Sequence, residues 1–66
     1  MDASEVIRAR QEERGIPTAE LARRCEIKYE ALRQSLSGNR GITASELVAL
    51  CIELDLDIGD FAEARN

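Results

Sequence analysis

The chain has no histidine and no tryptophan, and its 66 residues include one tyrosine, one phenylalanine, one proline and two cysteines. Each scarcity excludes something. Without histidine, and with Cys25 and Cys51 too far apart for a CxxC pair, no zinc-ligand set can be assembled, and no metal or cofactor is expected. The two cysteines fall on apolar helix faces, so they are read as small core residues in a reducing compartment rather than as a disulfide or redox pair. Two aromatic rings are too few for a base-stacking platform that grips single strands. No apolar run approaches a membrane span, and the start MDASEVIRAR lacks the apolar centre of a signal peptide, so the cytoplasm is the expected location. There is no nucleophile elbow and no phosphate-cradling glycine loop, and neighbouring acids such as Glu12 and Glu13 or Asp55 and Asp57 read as solvated surface, so no enzyme is expected.

What is present suits one small aliphatic core, and residues 1–66 are read as a single domain. The net charge is −4, unevenly spread. Residues 1–40 carry eight Lys or Arg against seven Asp or Glu, whereas residues 41–66 carry one against six. The acidity therefore belongs to the last third, and the first part is close to neutral.

The most informative stretch runs from Thr18 to Gly38. Leu21, Ala22 and Cys25 recur at helical spacing, Ile27 follows a polar break, and Leu32 and Leu36 restart the period. A bend near Glu26 would lay the first group against the second, with the small Ala22 allowing close approach, which describes two short helices joined by a tight turn. The second of these, expected over about residues 28–37, would leave Lys28, Tyr29, Glu30, Arg33 and Gln34 on its outer face. Those side chains have the reach to enter a DNA major groove.

The remaining elements follow in order. Asp2 with Glu5 resembles a capping box that opens helix 1, whose inward stripe is Ala3, Val6, Ile7 and then Ala9 or Arg10, and Gly15 is placed to end it in a left-handed conformation with Ile16 returning to the core. Pro17 blocks continuation and Thr18 is expected to cap helix 2. Glu26 stands at a turn position whose left-handed backbone favours glycine. Ser37 to Gly41 form a polar loop. Thr43 with Glu46 makes a capping box for helix 4, striped by Leu47, Leu50, Cys51 and Leu54. Asp57 with Asp60 caps a last short helix in which Ile58 and Phe61 are expected to point inward, and residues 62–66 are expected to fray. The sum is an all-α chain of five short helices.

With these elements in place, the chain resembles the lambda-repressor-like (Cro/CI-type) helix-turn-helix DNA-binding domain of the Xre family, from Ile7 to Phe61. The residues that carry the likeness are Gly15-Ile16, Leu21-Ala22, Glu26-Ile27, Leu32 with Leu36, Gly38-Asn39-Arg40, Leu47 to Leu54, and Leu54-Asp55-Leu56 through Phe61. Two features depart from the family pattern. Glu26 stands where the family has its turn glycine, and Gln11 and Leu36 stand where many members pair an arginine with a glutamate. Both partners of that pair are absent together, so no buried charge is orphaned.

The resemblance implies a compact five-helix domain that binds specific double-stranded DNA as a bacterial or phage transcriptional regulator. It implies that Lys28, Tyr29, Glu30, Arg33 and Gln34 approach base edges while Thr18, Ser37, Asn39 and Arg40 hold phosphates. Each good bidentate base contact is worth about 1–3 kcal/mol of discrimination. Half-site geometry suggests a homodimer, with Leu56, Ile58 and Phe61 of the helix 5 region as its surface. A second reading stays open: the same fold as an antitoxin-like or anti-repressor interaction module whose acidic C-terminal face takes a basic protein partner.

Overall fold

The structure is a computed structural model that describes residues 2–65. Asn66, at the end of the stretch expected to fray, lies outside the described residues. The order is α1 (Ala3–Arg14), α2 (Thr18–Cys25), α3 (Tyr29–Leu36), α4 (Ala44–Leu54) and a C-terminal 3₁₀ segment (Ile58–Arg65). Among the described residues there is no strand, so the all-α expectation holds, with the fifth helix being 3₁₀ rather than α.

Packing follows the apolar stripes. Ile7, Leu21, Leu32, Leu50 and Leu54 are completely enclosed, and Val6, Ala22, Leu36 and Leu56 complete the core. Ile16, Cys25, Ile27, Ile42, Leu47, Cys51 and Phe61 pack around it half-buried. Burying one such aliphatic side chain contributes about 1.5–3 kcal/mol, so this cluster is what holds the short helices together. α2 lies against α3 and α4, while α1 touches α3, α4 and the C-terminal segment. The helix-turn-helix pair is thus seated on a scaffold made of α1 and α4. Both cysteines are free and half-buried at the edge of the core, and that burial raises the thiol pKa of each.

Three of the four α-helices stop in the same way. Gly15, Glu26 and Asp55 adopt left-handed backbones, with φ of 65°, 56° and 55°. In each case the next residue is aliphatic and its N–H reaches back into the helix. Ile16 bonds the Gln11 carbonyl at 3.1 Å, Ile27 that of Ala22 at 2.9 Å, and Leu56 that of Cys51 at 2.8 Å. The aliphatic side chain then drops into or beside the core, which is the Schellman arrangement of a helix end.

Several expectations need correction. Asp2 accepts a hydrogen bond from the Glu5 N–H at 3.1 Å, but Glu5 does not reciprocate, so α1 has half of a capping box. Ser4 and Gln11 are buried on the stripe of α1, whereas Ala9 is exposed. Arg10 turns its guanidinium across the end of α4, donating to the Leu54 carbonyl at 2.8 Å and that of Asp55 at 2.9 Å. Thr18 is the first residue of α2 rather than its cap, a place taken by the extended Pro17. Ile58 points outward and is 90% exposed, because Leu56 two residues earlier already fills the core position.

Candidate nucleic-acid interface

The turn between α2 and α3 is short and tightly bonded. Glu26 takes the left-handed conformation, Ile27 anchors to the core, and Lys28 returns to extended backbone as the residue preceding α3. From there the period of α3 sorts its side chains cleanly. Leu32, Ser35 and Leu36 are buried, while Lys28, Tyr29, Glu30 and Arg33 are exposed and Gln34 is half-exposed. The structure therefore brings all five side chains expected at base edges onto the outer side of one helix.

That face is organised by Glu30. Its carboxylate accepts from Arg33 Nε at 3.2 and 3.1 Å, from Arg33 Nη2, and from Gln34 Nε2 at 3.4 Å. The hydrogen bond from Arg33, then that from Gln34, lowers the Glu30 carboxyl below its usual value, and the same contact raises Arg33. Lys28 has no carboxylate partner among the described residues.

The side chains expected at phosphates are placed unevenly. Thr18 Oγ1 accepts from Gln11 Nε2 at 2.9 Å, fixing the hydroxyl at the start of α2. Ser37 Oγ donates to the Gln34 carbonyl at 3.0 Å, and Asn39 Nδ2 donates to Ser37 Oγ at 3.2 Å, so both sit together just beyond the end of α3. Arg40 is turned inward. Its Nη1 and Nη2 bond Glu46 at 3.0 and 2.9 Å, and Nη1 also reaches Ser35 Oγ at 2.7 Å. The arginine ties the loop after α3 to the first turn of α4, and it lowers the Glu46 carboxyl while its own guanidinium is held more strongly protonated.

Sequence reasoning overlooked two contributors. Ser35, a polar residue on the buried stripe, is the acceptor that receives Arg40. Arg8 lines a hollow with Gln11, Glu12, Pro17 and Thr18 at the start of α2, and like Lys28 it lacks a carboxylate partner among the described residues. The other arginines from Arg10 to Arg40 are paired. Arg23 and Arg24 share Glu20, with Arg24 also 3.6 Å from Glu53, Arg14 lies 3.8 Å from Asp55, and Arg10 bonds Glu13 at 3.1 Å. Local spacing does not separate paired from unpaired arginines: half of the ion pairs among the described residues join different elements, and Arg8 has Glu5 and Glu12 at helical spacing yet pairs with neither.

The helix starts divide the molecule in two. α1 is capped by Asp2, and α4 by Thr43 together with Glu46. α2 and α3, preceded by Pro17 and Lys28, have no side-chain cap. Their first backbone N–H groups are free to meet an external acceptor at the positive end of the helix dipole.

The model of one protein family, described as Cro/C1-type HTH DNA-binding domain, matches residues 6–65. No curated protein and no solved structure matches the chain.

Proposed function

Because the chain belongs to the Cro/C1-type HTH DNA-binding domain family, we propose that it reads a specific double-stranded DNA sequence as a bacterial or phage transcriptional regulator, with α3 in the major groove. One observation carries the reading: the two helices of the helix-turn-helix have uncapped starts while both scaffold helices are capped. An uncapped start is a cost in the free protein that a phosphate or base acceptor removes.

On this reading Gln34 pairs with adenine, Arg33 and Lys28 donate to guanine, and the Tyr29 ring meets a thymine methyl. Thr18, the N–H groups beside it and Arg8 take phosphates on one side. Ser37 and Asn39 take them on the other. Arg40, engaged by Glu46, shapes the loop that carries Asn39 and adds little net charge of its own.

A second copy of the chain completes the site. One eight-residue α3 spans only a few base pairs, and the cations without a carboxylate partner among the described residues, Arg8 and Lys28, give weak attraction, so two linked copies are needed for tight and selective binding. The surface that fits is the exposed apolar strip Val48, Ile52 and Ile58, which are 58%, 76% and 90% exposed. Of the other residues expected at that surface, Leu56 is buried in the core but lines the same hollow as Val48, Ile52 and Ile58, and Phe61 packs half-buried against the core.

Selection of bound duplexes from a random pool, followed by anisotropy titration of the enriched sequence, tests the proposal. The expected result is one enriched, two-fold symmetric motif, with Gln34→Ala and Lys28→Ala each losing about tenfold in preference at separate base pairs. Enrichment that ignores both substitutions would remove α3 from the groove. A flat pool would transfer the argument to a basic protein partner on the acidic C-terminal face.

A further inference from the structure

We infer that Glu30 is a positioning residue for Arg33, holding one edge of the guanidinium so that its far end is presented to a guanine, and that it is not itself a base contact. This inference rests on the reading of α3 as the DNA-facing helix.

The geometry argues it through the valences of the groups. A guanidinium is a planar fork with five N–H donors. The Glu30 carboxylate occupies the edge made by Nε and Nη2 of Arg33. Nη1 has no hydrogen-bond partner among the described residues. The two Nη1 donors and the second Nη2 donor therefore remain at the far end, where adjacent Nη1 and Nη2 hydrogens match the O6 and N7 acceptors of guanine. Oε2 of Glu30 already accepts from Arg33 and Gln34 and Oε1 from Arg33 Nε, so a cytosine amino group would find one site on Oε1 and share the carboxylate with a charged donor. That disfavours the direct cytosine contact that a lone glutamate on this face suggests.

The arrangement also has a stated drawback, which makes it testable. A carboxylate facing DNA repels phosphates and lowers affinity for every sequence alike. In return, a held arginine has fewer rotamers to lose on binding and cannot swing aside to a phosphate, so more of its energy depends on the correct base. The molecule contains its own control. Glu20 makes the same i, i+3 pair with Arg23, and also bonds Arg24, but on α2, away from the face of α3.

The experiment is random-pool selection with the wild-type chain and with Glu30→Gln, Arg33→Ala, the double variant and Glu20→Gln, with melting temperatures confirming that each is folded. The wild type is expected to enrich a guanine that Arg33→Ala abolishes. Glu30→Gln should lower the preference for that same guanine about tenfold, while affinity for random DNA rises and the salt slope steepens by about one as the freed arginine reaches a phosphate. In the Arg33→Ala background, Glu30→Gln should leave preference at that guanine's base pair unchanged, and Glu20→Gln should leave it unchanged in the wild type. If Glu30→Gln relaxes a cytosine and spares the guanine, Glu30 reads bases directly and the inference fails. Unaltered preference at every position overturns it as well. A wild type that enriches nothing overturns the DNA reading beneath it, a different and recognisable failure.

Discussion

At the scale of single residues, Gly15, Glu26 and Asp55 solve one problem at different cost. All three take left-handed backbones, but only glycine does so without steric conflict. Relieving that conflict should stabilise the fold: Glu26→Gly is expected to raise stability by about 0.5–1 kcal/mol, or roughly 4 °C in Tm for a domain this small. Gly15→Ala should cost about 1 kcal/mol by the converse argument. Nothing lies within 4 Å of the added methyl, so that loss would be purely conformational. Thermal melts of both variants beside the wild type check the pair, and equal shifts of the same sign would refute the account. Arg10 is a separate case, because its guanidinium satisfies two carbonyls at the end of α4 that have no helical partner. Arg10→Met keeps the stem and removes the donors, and is expected to cost about 1.5–3 kcal/mol in a denaturant titration.

At the scale of elements, carboxylates held by hydrogen bonds within and between helices set the pH response. Hydrogen bonds from Arg23 and then Arg24 bring the Glu20 carboxyl from 4.5 to about 2, while Glu46 and Asp2 are lowered by their partners Arg40 and Ser4. A lowered carboxyl stabilises the fold in full above its unfolded pKa, and that contribution is lost as pH falls through the folded value. Helix content by circular dichroism should therefore decline in acid between about pH 4.5 and 2. With no histidine in the chain, stability should be flat from roughly pH 6 to 8. Glu46→Gln should weaken the acid transition and loosen the loop after α3 together, because Glu46 closes the α4 capping box and holds Arg40 at once.

Much of this element structure was readable beforehand, because it is local. The stripes Leu21 and Ala22, then Leu32 and Leu36, the Thr43–Glu46 box and the Gly15 stop each span less than two turns, and the outer face of α3 followed from the same period. What escaped was non-local or shared. Arg10 reaches across 44 residues to the Leu54 carbonyl, a contact no periodicity records. The outward turn of Ile58 depends on Leu56 having filled the core first. Thr18 opens α2 while Pro17 takes the cap position, since both residues fit the start of a helix. The inward turn of Arg40 depends on Ser35, a buried hydroxyl on the core side of α3 that the apolar period passes over.

At the scale of the whole molecule, charge makes two opposite demands. DNA binding by the few unpaired cations should weaken as salt rises, with a shallow slope of about −2 per copy if Arg8 and Lys28 supply it. Association of two copies, each with net charge −4, should strengthen with salt as their repulsion is screened. Sedimentation without DNA and anisotropy with DNA, taken over the same salt series, should move in opposite directions. Parallel trends, or no association at any salt concentration, would remove the proposed pairing of two copies through Val48, Ile52 and Ile58.

The position of Tyr29 gives the chain an intrinsic optical probe. It is the one tyrosine, half exposed at the first turn of α3, and no tryptophan is present to take its excitation energy. Tyrosine emission from the unlabelled protein thus comes from a single ring beside Glu30 and Arg33. Quenching of that emission on adding duplex DNA, abolished when the ring is removed by Tyr29→Leu, would report events at α3 without a dye that could alter them.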